Sequence, residues 1–276
     1  NTHMVTIMEE NQLDKKKSLS WLFLWVISFS SAMTFAKLLD PNMPTVLLIC
    51  IKSFFALLSL TPLILRANSK NVLQVKTPLM LLLRLSVGLS ATLCTYYAYR
   101  NLPLATATTI GFSGPLFTTT FAVFILRDKV SLQKWLLIIT GYIGVLIIVN
   151  PQSIGISAAL ISAVFANIFA GIGINISKIL TKSHNSLVIV FYSNLLSVTA
   201  SLVYLPFVEF NMPLYSDLLK LVGIGCLVAM SSYSYTQALR FSSPSFIAPF
   251  EYTRLLYSIP VGFFLFSESF QMNTFL

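Results

Sequence analysis

Four charged residues of this chain, Lys52, Arg84, Glu251 and Arg254, stand inside long apolar runs. At the centre of a bilayer each such side chain costs about 2.5–3.5 kcal/mol unless it meets a partner or water, so each is a candidate site residue. Glu251 and Arg254 are three positions apart and share one face of a helix, and two readings stay open for them. They could form a structural ion pair. Alternatively the carboxylate binds a cation or a proton while the guanidinium grips a carboxylate or phosphate. Lys52 lies too deep in its run to reach the surface easily and is expected to line a cavity. Arg84 is nearer the start of its run and either reaches the membrane surface or joins the cavity. Three positive charges against one negative favour a substrate carrying a carboxylate or phosphate. Glu251 is the obvious proton acceptor within the membrane, and so the candidate for proton coupling.

Aromatic and flexible positions form a second set. Tyr96, Tyr97 and Tyr99 end one apolar run, and Tyr233 and Tyr235 end another. They read either as an interfacial aromatic belt or as a stacking wall for a ring-bearing solute, with Tyr97 and Tyr235 as the binding candidates. Trp21 and Trp25, four apart, read as interfacial anchors. The stretch from Thr106 to Thr120 is rich in small and hydroxylated residues that let helices approach closely, and Gly111, Gly114 and Pro115 are its candidate kink or packing positions. Pro249 and Pro260 are candidate kinks later in the chain.

The elements that must position these residues are membrane spans. Of 276 residues 56% are apolar and only 10% charged, and the mean hydropathy is +0.80, values that a soluble domain does not reach. No Asp, Glu, Lys or Arg occurs from Pro103 to Leu126, or from Trp135 to Ser177, and the second stretch is long enough for two spans of about 20 residues. The expected spans are 19–39, 43–65, 77–99, 103–126, 135–150, 157–177, 186–208, 218–239 and 243–267, with a tenth opening near Phe270. The chain thus reads as an all-α polytopic membrane protein with a cytoplasmic tail over 1–18. Because the tenth span has barely begun at Leu276, the native protein is expected to be longer.

A shift of 140 residues sets Ala98-Tyr99-Arg100 over Ala238-Leu239-Arg240, Phe124 over Phe264 and Asp128 over Glu268. Each half, 19–150 and 157–276, holds about five apolar segments. An odd number inverts the second half relative to the first, the architecture of many secondary transporters. The net charge of +9 points to basic cytoplasmic loops rather than to nucleic acid. With the N-terminus inside, twelve basic residues fall on the cytoplasmic side and Lys37, Arg100 and Lys220 on the other. Cys50, Cys94 and Cys226 lie in apolar runs without disulfide or metal-ligand spacing. His3 falls in the tail and His184 in a loop, and no phosphate loop, nucleophile elbow or catalytic carboxylate pair occurs, so neither enzyme chemistry nor a cofactor is expected.

The run from Tyr97 to Ala107, the continuation GFSGPLFTTTFAVFILRDKVSLQKW over 111–135, and Thr140-Gly141-Tyr142-Ile143-Gly144-Val145 resemble EamA-type members of the drug/metabolite transporter superfamily. Ala238-Leu239-Arg240 and Ile247-Ala248-Pro249-Phe250-Glu251-Tyr252 resemble the matching part of the second repeat. The resemblance implies ten spans in two inverted EamA repeats, the tenth truncated here, with a cavity lined by spans 1–4 and 6–9 and with spans 5 and 10 peripheral. Within the superfamily the second half is most similar to the S-adenosylmethionine uptake branch of intracellular bacteria, which implies a bacterial inner membrane. That substrate offers a carboxylate for Arg254 or Lys52, an adenine for the tyrosines and cationic groups for Glu251, although the positive interior argues instead for an amino acid or nucleotide-type metabolite. The function expected is secondary transport of a small polar metabolite by alternating access. An exporter of amino acids or drugs is the alternative within the fold, and a non-transporting scaffold or lipid-handling protein the alternative outside it. The candidate partners are the metabolite, the lipid bilayer and a second copy of the chain in a homodimer.

Overall fold

A computed structural model of the chain describes residues 2–40, 42–67, 73–102, 110–149, 157–209 and 213–254, together with 256, 257, 260, 261 and 264. The side chains of 2–13, Lys37, Tyr96, Tyr99, Arg100, Val145, Ile148 and Val149 lie outside that set. The principal helices are α1 (Thr2–Lys37), α2 (Thr45–Arg66), α3 (Pro78–Asn101), α4 (Gly114–Leu126), α5 (Leu132–Val149), α6 (Ala158–Leu180), α7 (Ser186–Tyr204) and α8 (Tyr215–Phe241). A short helix, α9 (Pro244–Ile247), runs straight into a 3₁₀ segment, Ala248–Thr253. No strand occurs among the described residues. Six of these helices contain stretches long and apolar enough to cross a membrane, in α1, α2, α3, α6, α7 and α8. Large apolar side chains such as Leu65, Leu79, Phe124, Leu132 and Val203 are exposed, as a lipid-facing surface requires. The chain is therefore an integral, multi-pass helical membrane protein.

The ten expected spans are met in part. Of the fourth, residues 103–109 lie outside the described set and α4 covers Gly114–Leu126, and the ninth opens as α9 and the 3₁₀ segment. The tenth, from Phe270 on, lies outside it altogether. α1 begins at Thr2, so residues 2–18 of the expected polar tail are helical and continuous with the first span. Its Glu, Gln and Lys residues are good helix formers, which accounts for the extension.

Local signals set the helix starts. Ser157 accepts from the Leu160 amide at 3.2 Å and Asn185 from the Leu187 amide at 3.1 Å, capping α6 and α7. Pro78 opens α3, where its missing N–H is not needed. Packing then follows the repeat. α1 lies along α8 and α6 along α3; α2 fits between α7 and α8; α4 packs on α6, as α9 and its 3₁₀ extension touch α1. Each of these contacts has its counterpart when residues are shifted by 140. α4 and α6 also meet closely: a Cβ on Gly171 would come within 3.1 Å of the Phe117 carbonyl carbon and the Thr118 amide nitrogen. α5 sits at the periphery, against α4 and the 3₁₀ segment.

Candidate functional site

Two helices are interrupted, at equivalent positions of the two halves. Before α4, the chain turns at Phe112 and Ser113 and restarts as a helix at Gly114. Pro115 was expected to kink a continuous span; instead it occupies the first turn of a new helix, where its lack of an N–H costs nothing. The second interruption is the 3₁₀ segment Ala248–Thr253, and Pro249 likewise lies in its first turn. Under the 140-residue shift Phe112 falls on Tyr252, and these two rings stack on one another, centroids 6.3 Å apart at 26°. The broken segments therefore cross at their own equivalent residues.

The polar groups released by the breaks are handled differently. In the first half the Ile110 carbonyl accepts from the Ser113 hydroxyl at 2.6 Å and the Asn167 amide at 2.9 Å. Two turns along α6, the Asn175 amide reaches the Thr118 carbonyl at 3.0 Å and the Gly171 carbonyl at 2.8 Å. Neutral amides thus stitch α4 to α6. In the second half Glu251 is buried, and its carboxylate accepts from the Tyr235 hydroxyl at 2.6 Å. Arg254 Nε donates to the Glu251 carbonyl at 3.2 Å, and its guanidinium lies within electrostatic reach of the carboxylate. The guanidinium is covered by rings, its carbon 5.3 Å from the centroid of Trp25, 5.1 Å from Phe29 and 5.0 Å from Phe112. The Trp25 and Tyr235 rings are 5.0 Å apart, closing the cluster from α8.

The structure thus brings together three of the six binding candidates, Tyr235, Glu251 and Arg254. Among the described residues no hydrogen bond or ion pair joins Lys52, Arg84 or Tyr97 to them. Lys52 is 9% exposed, and its ammonium has no hydrogen-bond or ion-pair partner among the described residues. It lies where α2 and α8 are pressed together, since a Cβ on Gly225 would come within 2.7 Å of the Lys52 carbonyl oxygen. Arg84 is half-buried and donates through Nε to the Ser177 hydroxyl, joining α3 to α6. Tyr97 stands half-exposed on α3, a helix that packs on α6 and α7 rather than on α1. Gly111 precedes the first break and Gly114 follows it, with Asn167 Oδ1 against Gly114 at 3.2 Å from where a Cβ would stand. Pro260 is helical and exposed.

Sequence reasoning missed the two tryptophans. Expected as anchors, they face α8: Trp21 meets Tyr233 edge-on at 5.7 Å and Trp25 is buried. The repeat shift carried a usable signal, because it sets Glu251 over Gly111 and Arg254 over Gly114, charge against glycine at the two breaks. His184, in the loop before α7, is buried and has a structural role. Its Nε2 accepts from the backbone amides of Lys76 at 2.8 Å and Thr77 at 3.3 Å, so the ring caps the start of α3, with its proton on Nδ1 facing the Ser183 hydroxyl.

At one end the helices are tied together, by Lys178 within the second half and by Ser245 and Ser18 across the two halves. Lys178 Nζ donates to the Leu239 carbonyl at 2.6 Å, Ser245 donates to Asp128, and Ser18 donates to the Ala238 carbonyl at 3.1 Å. Ile174 of α6 packs onto the α1–α8 cluster just beneath. Towards the opposite end, an apolar cleft of about 400 Å³ runs between α3 and α6, lined by Cys94, Ala158, Ile161, Ser162, Phe165 and Phe169. Tyr235, Glu251 and Arg254 do not line it. Among the described residues no group of three or more His, Cys, Asp or Glu side chains could hold a metal ion. What the arrangement offers is recognition: a buried carboxylate, a guanidinium and a set of ring faces at a helix break.

Residues 16–150 and 155–276 each match the EamA-like transporter family. The S-adenosylmethionine uptake transporter of Rickettsia felis is 26% identical over 91% of this chain and 84% of its own length. The pseudopaline exporter of Pseudomonas aeruginosa is 27% identical over 68% of this chain and 67% of its own. A solved crystal structure superimposes with a TM-score of 0.79 at 14% identity, covering 96% of this chain and 92% of the other, a likeness of fold.

Proposed function

Since the chain belongs to the EamA-like transporter family, a family of small-metabolite transporters, we infer that it is a secondary transporter moving a small polar metabolite by alternating access. The two repeats are 19–150 and 157–276, inverted about the crossing of Phe112 and Tyr252. One observation carries the assignment of the site: the buried Glu251, held by Tyr235, beside Arg254 at the break in the ninth segment. Interrupted helices within the membrane are tolerated where they line a cavity, and in transporters such breaks hold the substrate. The positive bias of the loops puts the N-terminus inside, and the tied end of the bundle is then the cytoplasmic one.

S-adenosylmethionine is the substrate to test first, on the strength of the Rickettsia relatives and the site's chemistry. Its carboxylate suits Arg254, and its cationic groups suit Glu251. Lys52, without a partner among the described residues and deep in α2, serves as a second anchor for an anionic group. Uptake of labelled S-adenosylmethionine into bacterial cells producing the chain, with unlabelled amino acids and nucleotides as competitors, tests the reading. Saturable uptake displaced by close analogues is expected. Absence of uptake from a well-produced, membrane-inserted protein would discard this substrate and turn the search to export, the direction in the name of the Pseudomonas relative.

A further inference from the structure

The rings around Arg254 form a more specific device than an interhelical contact. Trp25 and Phe29 of α1 and Phe112 of the first break all lie against one guanidinium, at 5.0–5.3 Å. Tyr235 abuts Trp25 and donates to the buried Glu251. Converging ring faces backed by a carboxylate are the arrangement that recognises sulfonium and quaternary ammonium ions, which cannot donate hydrogen bonds and bind through ring quadrupoles and charge. Here the chain's own cation fills it. The repeat supplies an internal comparison: shifted by 140, Trp25 and Phe29 fall on Phe165 and Phe169, which stack on one another at 6.0 Å and line the cleft between α3 and α6. None of the residues lining that cleft is charged. The ring pair is therefore common to both halves, and the caged cation with its carboxylate belongs to the second break.

We propose that Trp25, Phe29, Phe112 and Glu251 form an organic-cation subsite in which Arg254 is a tethered placeholder. A substrate's permanent cation takes the place of the guanidinium between the rings, and the displaced Arg254 turns to the substrate's carboxylate. The exchange keeps one cation in the cage facing Glu251, and it matches the second cation, Arg254, with the anion that the substrate brings. The substrate class is a zwitterion bearing a sulfonium or quaternary ammonium group and a carboxylate. This inference rests on the reading of the ninth-segment break as the substrate site.

The test uses trimethylsulfonium as probe and the chain in lipid nanodiscs. Of the three tryptophans, Trp21 and Trp135 are replaced by Phe so that Trp25 reports from inside the cage. Arg254→Gln, which empties the cage, is expected to bind trimethylsulfonium about tenfold more tightly than the parent, read as saturable quenching of Trp25 emission. Arg254→Lys refills the cage and should cancel the gain, and Phe29→Leu in the Arg254→Gln chain should remove it. Equal affinity in parent and Arg254→Gln, or a gain indifferent to Phe29→Leu, overturns the proposal. If Arg254→Gln does not fold, the parent decides: saturable quenching weakened by Phe29→Leu supports the cage, and its absence overturns it. Because the readout needs no transport, loss of the uptake reading and loss of the cage are separable. Binding without S-adenosylmethionine uptake discards that substrate, whereas uptake without binding discards the cage.

Discussion

The two interrupted helices occupy equivalent places in the two halves, yet one is repaired with amides and the other with charge. Asn167 gives the first break a neutral donor from α6, and Asn175 ties the helix that follows it at the Thr118 carbonyl. The second break has Glu251 and Arg254 where the first has Gly111 and Gly114, and tryptophan and phenylalanine from α1 in place of the paired phenylalanines of α6. Both solutions satisfy backbone released in a medium without water. Only the second leaves a buried carboxylate and guanidinium that a solute can engage. Equal architecture with unequal chemistry is what makes the second break, on the reading proposed above, the place to look for binding.

The largest effect should come from removing charge at the second break. Glu251→Gln keeps an acceptor for Tyr235 but deletes the anion beside Arg254; uptake is expected to fall about a hundredfold, as when one member of a buried charge pair is removed. Any dependence of uptake on an imposed proton gradient should vanish with it, measured in proteoliposomes. Unchanged gradient dependence would remove Glu251 from proton coupling. Next is the seam that holds the first break: Gly171→Val drives side-chain atoms into the Phe117–Thr118 backbone, and the thermal unfolding transition in detergent should report a loss of about 1–3 kcal/mol. Asn175→Leu strips the Thr118 carbonyl of its amide donor and should cost about 1–3 kcal/mol, with the KM of uptake unchanged in what survives. A raised KM in that variant would mean that the amide-stitched break also touches substrate. The smallest effect is outside the spans: His184→Phe uncaps the start of α3 and should cost about 1 kcal/mol by the same unfolding measurement, with no change in uptake per folded molecule.

Much of this was legible in the residues. Long uncharged runs could only be spans, and the charges inside them had to be paired or functional, which picked out Glu251 and Arg254 before any geometry. Helix breaks were less visible. Pro115 and Pro249 read as kinks because a sequence does not reveal whether a proline bends one helix or begins another; Pro115 lies in the first turn of a new helix, whereas Pro249 lies in a 3₁₀ stretch that continues the helix before it. The cage was hidden for a different reason. Trp25 and Phe29 carry no pattern that distinguishes an interfacial anchor from a ring facing a neighbouring helix, and Phe112 joins them only because the two breaks cross. Arg84 and Tyr97 were plausible by type, but the folding of α3 against α6 gives Arg84 a serine partner and leaves Tyr97 half-exposed.

The most direct test of the account compares S-adenosylmethionine uptake by three chains in proteoliposomes: the parent, Glu251→Gln and Asn175→Leu, each normalised to folded protein. The account predicts saturable uptake in the parent, the same KM in Asn175→Leu and near-complete loss in Glu251→Gln. Uptake that survives in Glu251→Gln, or that fails equally in both variants, would contradict the claim that the charged break, and not its amide-stitched counterpart, is where the substrate binds.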